Sequence, residues 1–535
     1  MSDDRQGRGI SRRHFFFGTL LAGVIPRAGF GSVPSLQALG FQSPNEKLNI
    51  AGIGSGGRAM SVLGGCDSEN IVALADVDWA RGAEGFKRWE KATRYKDFRQ
   101  MLDKQGKSID AVTIAIPDHM HATAAIAAMQ LGKHVYVEKP LTRTAWEARL
   151  LADGAAKYKV ATQMGNQGYS HEATRVAAEI IWSGEIGNVT EVHAFRGRAG
   201  WPQGMTTLPA PTKVPDTLDW DLWLGGAQWR EYTTGDDAYR QKFNEQQYGF
   251  YMPFNWRGFF DFGTSLIGDW GIHILGPANW GLQLGSPVSV ECTKLGEGQS
   301  PYTFPTGGVA LKWEFAARGS MPPVTIYWSD TGEVYVPPGM TPEQARQIPG
   351  TGPTIANAAG AGGGGRGRGG AAPAGPGGAP PDGAAAQGGR GGRGGGRGAG
   401  GGQAAQAGAP AAPPNIGYNQ VFVGSKGYLG TSGRGEGVGL LPGERWADYQ
   451  LPPQLLTRSP GHQRDWIRAC KGGAPACSNF SIAGPYTEWM VLGAVAARFP
   501  GEKLLWDPKK LEFTNKKDAD KFVKPAYRKG WEIKL

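Results

Sequence analysis

The glycine pattern Gly52-x-Gly54-x-x-Gly57 constrains this chain more than any other feature. It follows the apolar run Leu48-Asn49-Ile50-Ala51 and precedes the helix-compatible Arg58-Ala59-Met60-Ser61-Val62-Leu63. Strand, glycine turn and helix in that order gather backbone N–H groups and a helix N-terminus at one place, which suits a pyrophosphate. On this reading Gly52 permits the tight turn, Gly54 lets backbone amides approach the phosphates, and Gly57 lets the helix lie close to the strand. With 85 Gly among 535 residues, the pattern by itself is weak evidence.

Its continuation is stronger. Ile71-Val72-Ala73-Leu74-Ala75 reads as a second apolar strand ending at Asp76, 19 residues after Gly57. An acid there accepts both ribose hydroxyls of NAD and repels the 2′-phosphate of NADP, so NAD is the expected cofactor. A third strand over residues 111–116 runs into Pro117-Asp118, an Ala-rich helix spans about 119–131 up to Gly132, and a fourth strand is His134-Val135-Tyr136-Val137. This alternation predicts an α/β chain whose residues 45–165 form a parallel, helix-wound Rossmann domain.

The glycine excess is concentrated elsewhere. Residues 351–413 hold 25 Gly in 63 positions with Ala, Pro and five Arg, and Ile355 is their one bulky apolar side chain. Such a stretch buries too little surface to offset its ordering entropy, and we read it as a disordered insert. The net charge of +10 divides into +3 on residues 1–44, +4 on the insert and +5 on residues 508–535, leaving −2 on the body. A near-neutral body argues against nucleic acid as the partner, and the Gly/Arg runs read as a solvated loop.

Ser11-Arg12-Arg13-His14-Phe15-Phe16 opens an apolar run ending at Ile25, too short to span a bilayer. It resembles a bacterial twin-arginine signal, with residues 1–44 as signal and linker. That resemblance implies recognition by the twin-arginine export machinery, a cofactor loaded before export of the folded chain, and a periplasmic or extracytoplasmic destination. No small-x-small cleavage site stands out before Pro44, and an uncleaved signal would tether the protein to the membrane. The same address permits a disulfide, for which Cys470 and Cys477 are the candidates, while Cys66 and Cys292 read as isolated small hydrophobes.

The fourth strand ends in Glu138-Lys139-Pro140, where ligands of such sheets bind. Together, Gly52–Arg58, Asp76, Ile116-Pro117-Asp118-His119-Met120-His121, Glu138-Lys139-Pro140 and Gly268-Asp269-Trp270-Gly271-Ile272-His273 resemble the Gfo/Idh/MocA oxidoreductases, the family of glucose-fructose oxidoreductase and inositol dehydrogenase. The resemblance implies a catalytic set of Lys139, Asp269 and His273 and a cis Lys139–Pro140 peptide. It places Gly52, Gly54, Gly57, Arg58, Asp76, Pro117, Asp118, His121, Glu138 and Lys139 around the cofactor. The residue types suit oxidation of a secondary alcohol: His273 as base for the hydroxyl proton, Lys139 stabilising developing charge on oxygen. Asp269, four residues earlier on a helix face, would hold a neighbouring substrate hydroxyl or tune His273. Many family members carry a further acid three residues after the His, where this chain has Gly276 and then Pro277, which puts their usual substrates in doubt. Asp118-His119-x-His121 lacks the further ligands of a metal site, and no metal is expected.

Residues 166–350 and 414–535 are expected to form an α+β domain with a largely antiparallel open sheet, its strands near 189–195, 288–293, 309–315, 324–328 and 421–424. An open sheet face needs cover, and a homodimer or homotetramer would supply it. Trp201-Pro202-Gln203, the segment 220–229 and Phe254-Asn255-Trp256-Arg257 offer rings and polar groups for a sugar. Asn166, Gln167 and Arg257, with Asp269 and His273, are the expected substrate contacts. The insert follows a strand-like Val334-Tyr335-Val336, and a late helix is expected over 486–499 after Ala483-Gly484-Pro485. The implied activity is NAD-dependent oxidation or reduction of a sugar or glycoside with retained cofactor. A redox-neutral glycosidase or lyase, and a non-catalytic sugar or nucleotide sensor, would use the same parts.

Overall fold

β1 (Asn49–Ile53), β2 (Asn70–Ala75), β3 (Thr93–Tyr95), β4 (Ala111–Ile114), β5 (His134–Val137) and β6 (Thr162–Met164) pair in parallel in the order β3-β2-β1-β4-β5-β6. β4 is buried at all four positions, as a strand covered by helices on both faces must be. The order reverses between β1 and β4, so a crevice opens beyond their carboxyl ends. The computed structural model describes residues 46–235, 250–345, 353, 355 and 417–535. The expected signal segment and nearly all of the expected insert lie outside the described residues. Ile355 is described and packs half-buried against the core, so a wholly solvated insert does not hold at that side chain.

Sequence missed β3 and β6 because three residues are too few to show a period. The helix His121–Gln130 is buried around nearly its whole circumference, which its run of alanines permits. Ala145–Tyr158 begins at a capping box in which the Thr144 hydroxyl and Glu147 carboxylate satisfy each other's backbone N–H groups.

The second sheet has nine strands: β7 (Val189–Phe195), β8 (Ser289–Glu297), β9 (Thr306–Phe315), β10 (Val324–Ser329), β11 (Gln420–Gly424), β12 (Gly427–Ser432), β13 (Gly437–Leu441), β14 (Lys503–Asp507) and β15 (Glu512–Phe513). Their order is β13-β12-β11-β7-β10-β9-β8-β14-β15, antiparallel except where β7 meets β10. Val192, Val290, Trp313, Ile326 and Phe422 form its buried face. Trp489, from the helix Phe480–Ala496, meets Trp313 and Phe315 edge-on with ring centres 5.4 Å apart. Glu291, Lys312, Tyr327 and His193 lie side by side in register on the other face, all half-exposed. Both sheets belong to one compact unit, Lys47–Leu535.

Three local expectations need correction. The late helix starts at Phe480, capped by Asn479, and carries Pro485 inside it. Pro485 has no N–H to donate to the carbonyl of Ser481, one turn earlier at an exposed residue. Residues 334–336 are not a strand but pack irregularly beside Tyr418 and Val421. Cys470 and Cys477 are not bridged: Cys470 ends the helix His462–Cys470 among Leu48, Ile50 and Trp466, whereas Cys477 lies 3.3 Å from the Ser170 hydroxyl. No helix among the described residues is long and apolar enough to cross a membrane.

Candidate active site

The glycine turn leaves β1 at Ile53. Gly54 has φ +91°, and a Cβ there would lie 2.5 Å from the Ala115 carbonyl oxygen, so only glycine fits. The other two glycines exchange the roles assigned from sequence. Gly52 lies within β1, and a Cβ on it would press on Leu63 at 3.0 Å and Leu74 at 2.9 Å. It is therefore Gly52 that lets the helix Arg58–Gly64 approach the sheet. Gly57, exposed and at φ +53°, makes the turn into that helix.

Asp76 follows β2 and accepts hydrogen bonds from the Ser55 N–H (2.9 Å), the Ser55 hydroxyl (3.1 Å) and the Asp78 N–H (3.0 Å). Burial raises its pKa and those bonds oppose the rise. Arg58 Nε reaches Glu138 Oε1 at 2.9 Å, tying the start of the helix to the end of β5. A cradle that admits no side chain at Gly54, with an acid held at its rim, fits the pyrophosphate and ribose of NAD.

At the end of β5 the Lys139–Pro140 peptide is cis. Lys139 Nζ donates to Asp269 Oδ1 at 2.6 Å and to the Asp269 carbonyl oxygen at 3.1 Å. Arg257 Nε donates to the same Oδ1 at 2.8 Å. Burial pushes the Asp269 carboxyl up, but Lys139 and Arg257 together overcome it and hold the group below the usual carboxylate range. Arg257, expected on substrate, is thus a partner of Asp269, with its guanidinium 4.4 Å from the ring centres of both Phe254 and Trp256.

The segment bearing Asp269 is a π-helical turn, Ile267–Gly271, passing into Ile272–Ile274. Four-residue spacing therefore does not set Asp269 against His273 as in a plain α-helix. The Tyr486 hydroxyl anchors this turn through the Ile272 carbonyl at 2.9 Å. His273 is 3% exposed and its Nδ1 finds no partner among the described residues. Burial first, then the charges of Lys139 and Arg434, hold its pKa well below the ordinary histidine value. Burial and the neighbouring cations thus favour the neutral imidazole.

Asp118 is buried beneath this cluster, bonded by the Thr264 hydroxyl at 3.2 Å, with burial pushing its carboxyl up to about 8 against Arg257 and Lys139. Pro117 leads into it, half-buried at the crevice. His121 braces the crevice from behind: Nδ1 lies 2.9 Å from the Pro140 carbonyl and Nε2 lies 2.8 Å from that of Ile116. Burial favours the neutral ring, whose single N–H donates to one of these two carbonyls, so His121 lies against the backbone of the crevice wall. Asn166, past β6, is 1% exposed, and neither end of its amide has a partner among the described residues. Gln167 follows it, half-buried.

The expected aromatic sugar platform is largely core. Trp201, Trp220, Trp223 and Trp256 are buried, the middle pair stacked with ring centres 4.8 Å apart. A half-buried ring does flank the site: Trp270, with Arg196 at 3.7 Å and Arg434 at 5.3 Å over its face. Sequence reading missed all three, although Trp270 lies inside the quoted motif; Arg196 and Arg434 come from distant strand ends and carry no local signal.

Residues 47–166 match the family model GFO_IDH_MocA, described as an oxidoreductase family with an NAD-binding Rossmann fold. Levoglucosan dehydrogenase of Pseudarthrobacter phenanthrenivorans is 32% identical over 127 residues, 24% of this chain and 31% of that protein. Inositol 2-dehydrogenase 1 of Saccharopolyspora erythraea is 29% identical over 157 residues, 29% of this chain and 46% of that protein. The chain thus spans a third to a half of the length of these relatives. An inositol dehydrogenase homologue from Azotobacter vinelandii, crystallised with NADH and myo-inositol, aligns at 14% identity and a TM-score of 0.46, covering 86% of this chain and 98% of that one. Over residues 47–166 the chain thus carries an NAD-binding Rossmann domain similar to that of the Gfo/Idh/MocA oxidoreductases.

Proposed function

We propose that this protein is an NAD-dependent oxidoreductase acting on a secondary hydroxyl of a sugar or glycoside. The observation that carries the reading is the convergence of Lys139, Asp269 and a neutral, buried His273 at the carboxyl end of β5, beside the glycine cradle. Bound NAD would supply the hydride acceptor. The chain's own groups handle the proton and the oxygen. His273 takes the hydroxyl proton, and Asp269, kept ionised by Lys139 and Arg257, steadies the imidazolium that results. Lys139 spends two of its three N–H groups on Asp269, leaving the third for the substrate oxygen. The orphaned Asn166 amide offers a donor and an acceptor to neighbouring hydroxyls.

The twin-arginine-like segment supports export of the folded, NAD-loaded chain to an extracytoplasmic space, where free cofactor is scarce. NAD held in the cradle through export would stay bound there and would serve as hydride acceptor for one substrate and hydride donor to another. The half-exposed face of the nine-stranded sheet, where His193 stacks between Tyr327 (4.7 Å) and Tyr335 (3.7 Å), supports assembly into a homodimer or homotetramer.

The test is to denature the exhaustively dialysed protein and identify any released dinucleotide by mass, then to follow nicotinamide absorbance and products with a sugar and glycoside panel. Near-stoichiometric NAD and a keto-sugar product support the reading. A cleaved glycoside without net reduction transfers it to the elimination chemistry, and an empty protein that binds NAD weakly overturns cofactor retention.

A further inference from the structure

Residues 217–226 run across the carboxyl ends of β2 and β4, the two strands that flank β1 in the sheet. Beyond β2, the Trp79 N–H donates to the Thr217 carbonyl at 3.1 Å, and the Asp219 N–H donates to the Val77 carbonyl at 2.9 Å. Beyond β4, His119 Nε2 lies 3.0 Å from the Trp223 carbonyl, and a Cβ on Gly225 would lie 2.1 Å from Met120 Sδ. The glycine turn leaves β1 between these two attachments. The loop held beyond β2 also rests on that turn: a Cβ on Gly56 would meet the Arg81 carbonyl oxygen at 2.2 Å.

The basic C-terminal tail fastens the same segment. Arg528 Nε and Nη2 donate to the Gly225 carbonyl at 3.0 and 2.8 Å, and Nη2 also donates to the Asp221 carbonyl at 2.9 Å. Nη1 pairs with the Asp221 carboxylate, and the Arg528 N–H bonds the Gly226 carbonyl at 3.0 Å. One guanidinium thus gathers the carbonyls that close the short helix Trp220–Leu224. Tyr527 packs on Gly226, where a Cβ would lie 2.7 Å from its ring, and its hydroxyl donates to Glu147 at 2.6 Å. Glu147 is buried at the start of the helix Ala145–Tyr158, so the tail is itself tied to the nucleotide-binding half. We propose that residues 217–226 form a latch across the cofactor crevice and that Arg528 keeps it shut, so that the latch sets how slowly NAD leaves. This rests on the retained-cofactor reading and names the residues that bring retention about. Lifting the latch breaks the Trp79–Thr217 and Asp219–Val77 bonds and frees the loop that rests on the glycine turn. Arg528 opposes that motion by holding the segment at its other end.

The experiment uses the full chain with NADH as probe. Dissociation is followed by nicotinamide fluorescence after a chase with excess NAD, and association by mixing NADH with protein stripped of nucleotide on charcoal. Arg528→Ala is expected to speed dissociation about tenfold or more, the usual effect of removing several charge-assisted bonds. Association should quicken as well, because a gate slows passage in both directions, so Kd rises by less than the dissociation rate. Arg528→Lys should fall between the two, since an ammonium keeps the charge but not the fork that reaches both carbonyls. If Arg528→Ala does not fold, Asp221→Asn loosens the same contact from an exposed side chain and should speed both rates by a smaller factor. Unchanged rates in the folded variants overturn the latch, and NAD still bound to the purified, unaltered protein then leaves cofactor retention standing. Faster dissociation with unchanged or slower association marks a damaged cradle and also overturns the latch. A protein purified without NAD, but from which added NADH leaves faster after Arg528→Ala in both directions of exchange, keeps the latch and removes retention.

Discussion

Lys139 and Asp269, 130 residues apart in sequence, are joined through a 2.6 Å contact between Nζ and Oδ1, with both side chains nearly removed from solvent. The contact welds the last residue region of the nucleotide-binding strand β5 to the π-helical turn that carries His273. It also means that the ammonium is positioned by the carboxylate of the turn that carries the base, and not by its own neighbours in the chain.

Lys139→Ala should lower kcat about a hundredfold or more, the usual cost of removing a charged donor aimed at a reacting oxygen. Retained NAD, measured by mass after denaturation, should remain, because the glycine cradle is untouched. A rate within a fewfold of the unaltered protein would remove Lys139 from the chemistry.

The pH dependence of kcat/KM should lack the histidine inflection near about 6.5, because burial, Lys139 and Arg434 keep His273 unprotonated below that pH. Activity is expected to stay level as pH falls through that region and to decline only further into acid. A half-maximal rate close to 6.5 would contradict the electrostatic account of His273.

Gly54→Ala should be worse than Gly52→Ala. At Gly54 the new Cβ meets fixed backbone and takes a positive φ, a cost of about 1–3 kcal/mol, whereas at Gly52 it meets the ends of two leucine side chains. Thermal unfolding and NAD content of the two variants measure the difference. Equal losses at both positions would show that the turn geometry is not as described.

Asp330, 2% exposed, has its carboxyl pushed up to about 7 by burial, against a hydrogen bond from the Val309 N–H. A raised carboxyl pKa stabilises the folded state at low pH. That contribution fades as pH climbs from about 3.9, the unfolded value, through about 7. Asp330→Asn removes this dependence, so the variant should gain stability relative to the unaltered protein between pH 5 and pH 8, on the order of 3 kcal/mol. Denaturant unfolding at the two pH values checks it. A difference that does not change with pH would mean that Asp330 is ionised throughout.

The nucleotide-binding half was legible because its signals are local. Four of its six strands, the glycine turn and Asp76 lie in runs where apolar period and glycine position speak directly. The roles of Gly52 and Gly57 were exchanged because the Leu63 and Leu74 side chains that decide them arrive from other elements. Trp220 and Trp223 were misread for a related reason, while Trp229 of the same segment is exposed. Ring content is visible in sequence, but whether a ring faces solvent or Tyr251 is settled only by what folds over it.

The sequence by itself determined a wound parallel sheet and an NAD-sized cradle, because strand period and turn chemistry act within a few residues, while Lys139, Asp269 and His273 were singled out through the family resemblance. Tertiary structure alone decided that Arg257 serves Asp269 and that Arg196 and Arg434 meet over Trp270. Charge pairing depends on distance in space, and packing brings together strand ends that the chain keeps far apart.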